Sequence, residues 1–217
     1  MNIQDKLTGF AMLGATWVMW VLVGLSVGGL AVALERAIYL LRTSDNVRKL
    51  RADLLAYLKG DDLASARERL AASPSFEAGI AAAGLAEPDD GAASAEERIA
   101  GASQLAKLTM ERRLAFLGTL GNNAPFIGLL GTVIGIIRAF HELNESAGKV
   151  TAGLMSQVGE ALVATAIGIL VALPAIAAFN LFQRIIKGRL ARAEALAREV
   201  IAYLQAERAE PAAVRAV

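Results

Sequence analysis

Long uncharged stretches alternate along this chain with segments in which apolar and charged positions recur at helical spacing. The first uncharged run is Leu7 to Leu34, 28 residues. The second is Leu114 to Ile137, 24 residues, and the third is Val150 to Gln183, 34 residues whose sole charge is Glu160. The hydrocarbon core of a bilayer, about 30 Å thick, takes about 20 helical residues to cross. A helix satisfies its own backbone in lipid. The pattern therefore predicts three transmembrane helices, at 1–35, 114–140 and 150–183.

The remaining segments read as helical too. "NVRKLRADLLAYLKG" places apolar residues at helical spacing and ends on glycine. "DDLASARERLAAS" predicts a second short helix stopped by Pro74, and "LAEPDDGAAS" a turn. "SAEE" offers a capping box, with Ser94 as N-cap and Glu97 three residues on. No strong breaker follows before Pro125, so one helix is expected over 94–140, about 70 Å long. The third span is expected to run on and stop at Pro211. Helices of this length suggest a bundle closed by oligomerisation.

Lysine and arginine set the orientation. The N-terminus and the Arg138–Lys149 loop carry three, Lys6, Arg138 and Lys149, against nine close to the membrane on the other side. The N-terminus is thus expected outside and the C-terminus inside. Residues 36–113 become a cytoplasmic helical segment, 141–149 a short periplasmic loop and 184–217 a cytoplasmic C-terminal helix. The first run is too long for the apolar region of a signal peptide and has its basic flank on the wrong side, so it reads as a retained anchor.

Composition agrees with this layout. The 217 residues are 55% hydrophobic with a formal net charge of +1, and mean hydropathy is +0.47. No global charge points to nucleic acid. There is no cysteine and one histidine, which excludes a disulfide framework and leaves little for a zinc site. Between 35 and 113 stand 12 basic and 13 acidic side chains, a balance that suits a soluble helical segment. No nucleophile–base or metal constellation is visible, so an enzyme is not expected.

Candidate chemistry lies in the second and third runs. Gly121, Pro125, Gly128, Gly131, Thr132 and Gly135 form one helical stripe, and Ala161, Ala164, Thr165, Gly168, Ala172 and Ala175 form another. Small residues let helix backbones approach closely. Thr132 and Thr165 are open to two readings, a polar path or bonds back to their own helices. Glu160 is also open to two readings. At mid-bilayer a charge costs at least about 2.5–3.5 kcal/mol, and a carboxyl that exchanges its proton there suits a relay. At the outer interface it is merely solvated. Five residues from Glu160, Thr165 is rotated by about 140°, so both cannot point squarely at one partner. Pro125 and Pro174 are candidate hinges. Asn122 and Asn123 suit interhelical hydrogen bonds or an interface, His141 an exposed loop, and Glu35–Arg36 the inner boundary of the first span.

"APFIGLLGTVIGI" followed by "GEALVATAIGILVALPAIAAFN" resembles the paired signature of the MotA/TolQ/ExbB proton-channel family, most closely its ExbB/TolQ branch. "LERAIYLLR" after the first span fits as well. The resemblance implies an all-α integral membrane protein of the bacterial inner membrane, with three transmembrane helices and long cytoplasmic helical extensions. It implies a homo-oligomeric ring, a pentamer in the ExbB branch, around an ExbD/TolR-like single-span partner that carries a membrane aspartate. The transported ion would be H+, with no cofactor and no metal, and a TonB/TolA-like protein is a further possible partner. By motif alignment Glu160, Thr132 and Thr165 take the polar positions facing the channel. Gly128, Gly131, Gly135, Ala161, Ala164 and Gly168 pack the helices around it. The expected function is a proton-motive-force-driven motor stator subunit. The alternative is a non-conducting scaffold that stabilises a membrane partner.

Overall fold

The computed structural model describes residues 14–214, with side chains through Ala206. Lys6 and the start of the Leu7–Leu34 run lie outside the described residues. Among the described residues the regular structure is helical throughout, with no strand: α1 Thr16–Arg42, α2 Val47–Lys59, α3 Leu63–Ala71, α4 Phe76–Gly84, a 3-10 turn Pro88–Asp90, α5 Ala92–Glu111, α6 Leu114–Glu145 and α7 Ala152–Val214. Three of the helices, α1, α6 and α7, are long and apolar enough to cross a membrane. Only 17%, 28% and 28% of their most apolar windows is buried within the chain. Such apolar surface, far beyond what soluble monomers leave in water, needs lipid or other chains to cover it.

Contacts divide the chain into two units. The membrane unit is the chain up to Glu35 with Arg113–Leu181, and the polar unit is Arg36–Arg112 with the chain from Phe182 on.

The membrane unit has a core of Val18 and Leu22 from α1, Leu120, Ala124 and Ile134 from α6, and Val171, Ala172 and Ala175 from α7. Arg113 reaches Glu35 at 3.6 Å.

In the polar unit, Leu50, Leu54 and Leu58 stand four residues apart on α2 and are all buried. They join Leu70 of α3, Ala78 and Ala81 of α4, Ala95 of α5, and Leu196, Val200 and Leu204 of α7 in one core. Side-chain caps begin the short helices. Asn46 accepts from the Lys49 N–H, Asp62 from that of Ser65 and Ser75 from that of Ala78; each cap satisfies a backbone donor that the first turn cannot. Ser73 donates to Asp45 at 2.7 Å. That bond, with the Asn46 N–H and Arg69 adding to it, holds the Asp45 carboxyl below its ordinary range. Asp53, 2.8 Å from Arg69, raises the guanidinium's pKa further.

Several expectations are corrected. The helix expected over 94–140 is two helices. Arg112 is extended, with φ −52° and ψ 132°, and Arg113 is left-handed at φ 66°, a conformation that costs a side-chain-bearing residue roughly 1–2 kcal/mol. No glycine or proline marks the break, so local pattern could not find it. The capping box does not form. α5 begins two residues earlier than Ser94, after Gly91 at φ 86°, where glycine is free of the Cβ clash. α6 runs on to Glu145, so the loop begins at Ser146 and His141 is helical; the third membrane helix begins at Ala152. α7 continues through Pro211 to Val214.

Candidate functional site

The two small-residue stripes face each other. A Cβ built on Gly128 would lie 2.8 Å from the Ala164 carbonyl oxygen and 3.0 Å from Thr165 Cα. One on Gly168 would lie 2.7 Å from the Ala124 oxygen. A Cβ on Gly135 would likewise meet Ala161, and one on Gly131 would meet Ala164 and lie 3.4 Å from Val18 of α1. Ala161 and Ala164 are buried. α6 and α7 thus meet backbone to backbone, with α1 closing on the same wall. Gly121 sits on Ile176 in the same seam.

Close approach brings two hydroxyls together. Thr132 and Thr165 are hydrogen-bonded to each other through their Oγ1 atoms. Thr132 Oγ1 is also 3.2 Å from the Ala161 oxygen, and Thr165 Oγ1 is 3.2 Å from that of Gly128. Each hydroxyl has one proton. One therefore donates to the other, and the second donates to a carbonyl of the facing helix. The pair keeps open lone pairs but no spare proton donor.

Glu160 turns elsewhere. Its Oε1 accepts from Thr16 Oγ1 at 2.6 Å. The carboxylate is half-buried and stands against α1, while Thr165 faces α6. The rotation between the two on α7 is resolved by two different neighbours. Thr16 was not singled out by sequence, where the first span reads as an anchor. Its hydroxyl, in an otherwise charge-free run at matching depth, was the available signal.

Helical rise gives relative depths. Thr16 to Glu35 spans about 29 Å along α1, the thickness of a hydrocarbon core. Thr165 lies about 7 Å along α7 from Glu160.

Beyond Glu160, Glu142 holds the start of α7. Thr151 donates to its Oε1 at 2.5 Å, and Gln157 donates to its Oε2. Thr151 in turn accepts the Leu154 N–H. His141 Nε2 is 3.2 Å from Glu145 one turn on. A polar cavity of about 420 Å³ is lined by Arg138, His141, Glu142, Glu145 and Gln157.

The other candidates are placed as follows. Pro125 is inside α6 and half-buried. Pro174 is inside α7 and lines an apolar crevice of about 280 Å³ with Ser26, Gly29, Leu117 and Leu120. Asn122 and Asn123 are exposed, and Asn123 donates to Thr119 of its own helix at 2.8 Å. No cluster of three or more potential metal ligands occurs among the described residues.

Residues 71–195 match the model of the MotA/TolQ/ExbB proton channel family. The chain is 46% identical over 78 residues to a putative biopolymer transport protein ExbB-like 2 of Helicobacter pylori, covering 36% of this chain and 52% of that one. It is 37% identical over 91 residues to the biopolymer transport protein ExbB of Xanthomonas campestris pv. campestris, covering 42% and 36%. It is 42% identical over 73 residues to the Tol-Pal system protein TolQ of Pseudomonas aeruginosa, covering 34% and 32%. The matched stretches thus span from about a third to about half of these relatives' lengths.

Proposed function

The chain belongs to the MotA/TolQ/ExbB proton channel family, in its ExbB/TolQ branch, and from that premise we propose that it is a proton-motive-force-driven stator subunit of the inner membrane. Several copies form a ring, a pentamer by resemblance, around the span of an ExbD/TolR-like partner. The N-terminus is outside and the polar unit inside. One observation carries the reading: a single carboxylate, Glu160, stands in the charge-free spans, held by a hydroxyl and followed inward by the Thr132–Thr165 pair.

If Glu35 marks the inner boundary, Thr16 and Glu160 lie at the outer edge of the hydrocarbon layer. Glu160 is then the outer acid of the path. As carboxylate it takes a proton from the outer water. It passes that proton to the partner's aspartate, which releases it inward and leaves both carboxylates as they began. The threonine pair lines the next level with lone pairs able to accept a hydrogen bond from the protonated acid. Each charge falling through 100 mV releases about 2.3 kcal/mol, which the ring and partner turn into motion transmitted to an envelope client through a TonB/TolA-like protein.

Glu160→Gln keeps the hydrogen-bonding shape and removes the exchangeable charge. It is expected to abolish proton-coupled client activity while assembly remains. Full activity in that variant overturns the relay.

The internal satisfaction of Thr132 and Thr165 favours a second reading, in which the same walls serve a scaffold that only stabilises a partner. That reading expects client function to survive an uncoupler, and the motor reading expects its loss.

A further inference from the structure

Thr16 is the residue that ties the first span to Glu160. We propose that it is a positioning residue of the ion path, and that α1 is therefore part of that path as well as an anchor. The inference rests on the proton-path reading of Glu160 and adds to it a residue on a different helix.

Four observations carry it. The Thr16 hydroxyl donates to Glu160 at 2.6 Å across 144 positions of sequence. Among the described residues this is the Glu160 side chain's hydrogen bond, so without the Thr16 hydroxyl the carboxylate loses the contact that orients it. Thr16 is also the first residue of α1. Threonine within a helix often bonds back to a carbonyl of its own helix, whereas the Thr16 hydroxyl donates across to α7. Finally, the backbone there is fixed. Ala15 and Val18 flank Thr16 and are buried in the membrane unit's core, and Val18 lies against Gly131. The hydroxyl is thus presented from a wall that α6 and α7 also build.

The consequence is geometric. A carboxylate held on one oxygen by Thr16 Oγ1 has its second oxygen, Oε2, left to receive and pass the proton. Replacing the hydroxyl by a methyl frees the side chain and scatters that oxygen.

The test uses the full-length chain with its co-expressed membrane partner. Isotope-edited infrared difference spectra, wild type against Glu160→Gln, isolate the Glu160 carboxylate band. Thr16→Val is expected to shift that band, and Thr16→Ser to leave it in place. Proton flux in membrane vesicles is expected to fall about tenfold in Thr16→Val, the factor corresponding to loss of a hydrogen bond to a charged group, and to stay near wild type in Thr16→Ser. Thr16→Ala provides the same removal should the valine variant fail to fold. An unshifted band in Thr16→Val and Thr16→Ala overturns the proposal, as does a serine variant as poor as the valine one. Flux that survives Glu160→Gln overturns the proton path itself and this role with it, whereas loss in Glu160→Gln with wild-type flux in Thr16→Val sinks the Thr16 role alone.

Discussion

Glu77 and Arg189, 112 positions apart in sequence, form an ion pair in which the two side chains are 2% and 3% exposed. Arg189 Nη2 is 2.9 Å from Glu77 Oε2, and its Nη1 is 3.1 Å from the Leu40 carbonyl oxygen. Its Nη2 also bonds the Thr43 carbonyl, and the guanidinium lies over the Phe76 ring at 5.4 Å. Leu40 and Thr43 are at the end of α1, where helix carbonyls lack intrahelical partners. Arg189 therefore neutralises an acid and caps a helix together.

Removing one partner of such a pair leaves a buried charge, which costs about 3–5 kcal/mol. Arg189→Met is expected to lower the thermal denaturation temperature strongly in detergent. Adding Glu77→Leu should restore part of that loss and not all, because the α1 carbonyls remain unsatisfied. Full recovery in the double variant would show that the caps contribute nothing.

A methyl group at Gly128 or Gly168 is expected to push α6 from α7, since each Cβ would meet facing backbone at 2.7–2.8 Å. Overpacking of this kind costs about 1–3 kcal/mol. Gly128→Ala and Gly168→Ala should reduce the yield of folded protein, and Gly24→Ala, which meets nothing within 4 Å, should not. Denaturation curves for the three variants check the difference.

Thr132→Val and Thr165→Val should each cost about 1 kcal/mol, the worth of one hydrogen bond, because the surviving hydroxyl still reaches a facing carbonyl. The double variant should cost more than either alone but depart from their sum, as contacting residues do. Additive losses would indicate that the two hydroxyls do not act together.

Acid is expected to destabilise the polar unit through Asp45. Its folded pKa lies below the ordinary 3.8, so the group contributes stability above that value and loses it as pH falls through the folded one. Ser73→Ala removes the largest cause of the shift. A denaturation series from pH 6 to pH 2 should therefore show a shallower acid loss in Ser73→Ala than in wild type. Equal slopes would assign the acid sensitivity to other carboxylates.

Glu142→Ala is expected to loosen the first turns of α7, since Thr151 and Gln157 both donate to Glu142. Hydrogen exchange of the amides from Gly153 to Val158 should quicken, with those near Ala172 unchanged.

Some of this was legible in the residue order because the physics is local. A run without charge long enough for a bilayer reads as a span wherever the rest of the chain goes. Asn46, Asp62 and Ser75 cap helices within three residues of themselves. The glycine and alanine stripes recur at helical periods, so each could be drawn on its own helix before the partner was known. Glu160 stood out because charge in an apolar run is costly by itself.

Tertiary structure alone decided which groups meet. Thr16 and Glu160 are 144 positions apart and Glu77 and Arg189 are 112 apart, and no period links either pair. Arg113 adopts a left-handed conformation that its own residue type disfavours, so the break between α5 and α6 carries no local signal. Spacing on α7 permitted the Glu160 and Thr165 side chains to diverge, but it took α1 on one side and α6 on the other to give each a partner. Helix type and span length follow from neighbours a few residues away, whereas hydrogen bonds between helices depend on how distant segments approach, which a single strand of sequence does not encode position by position.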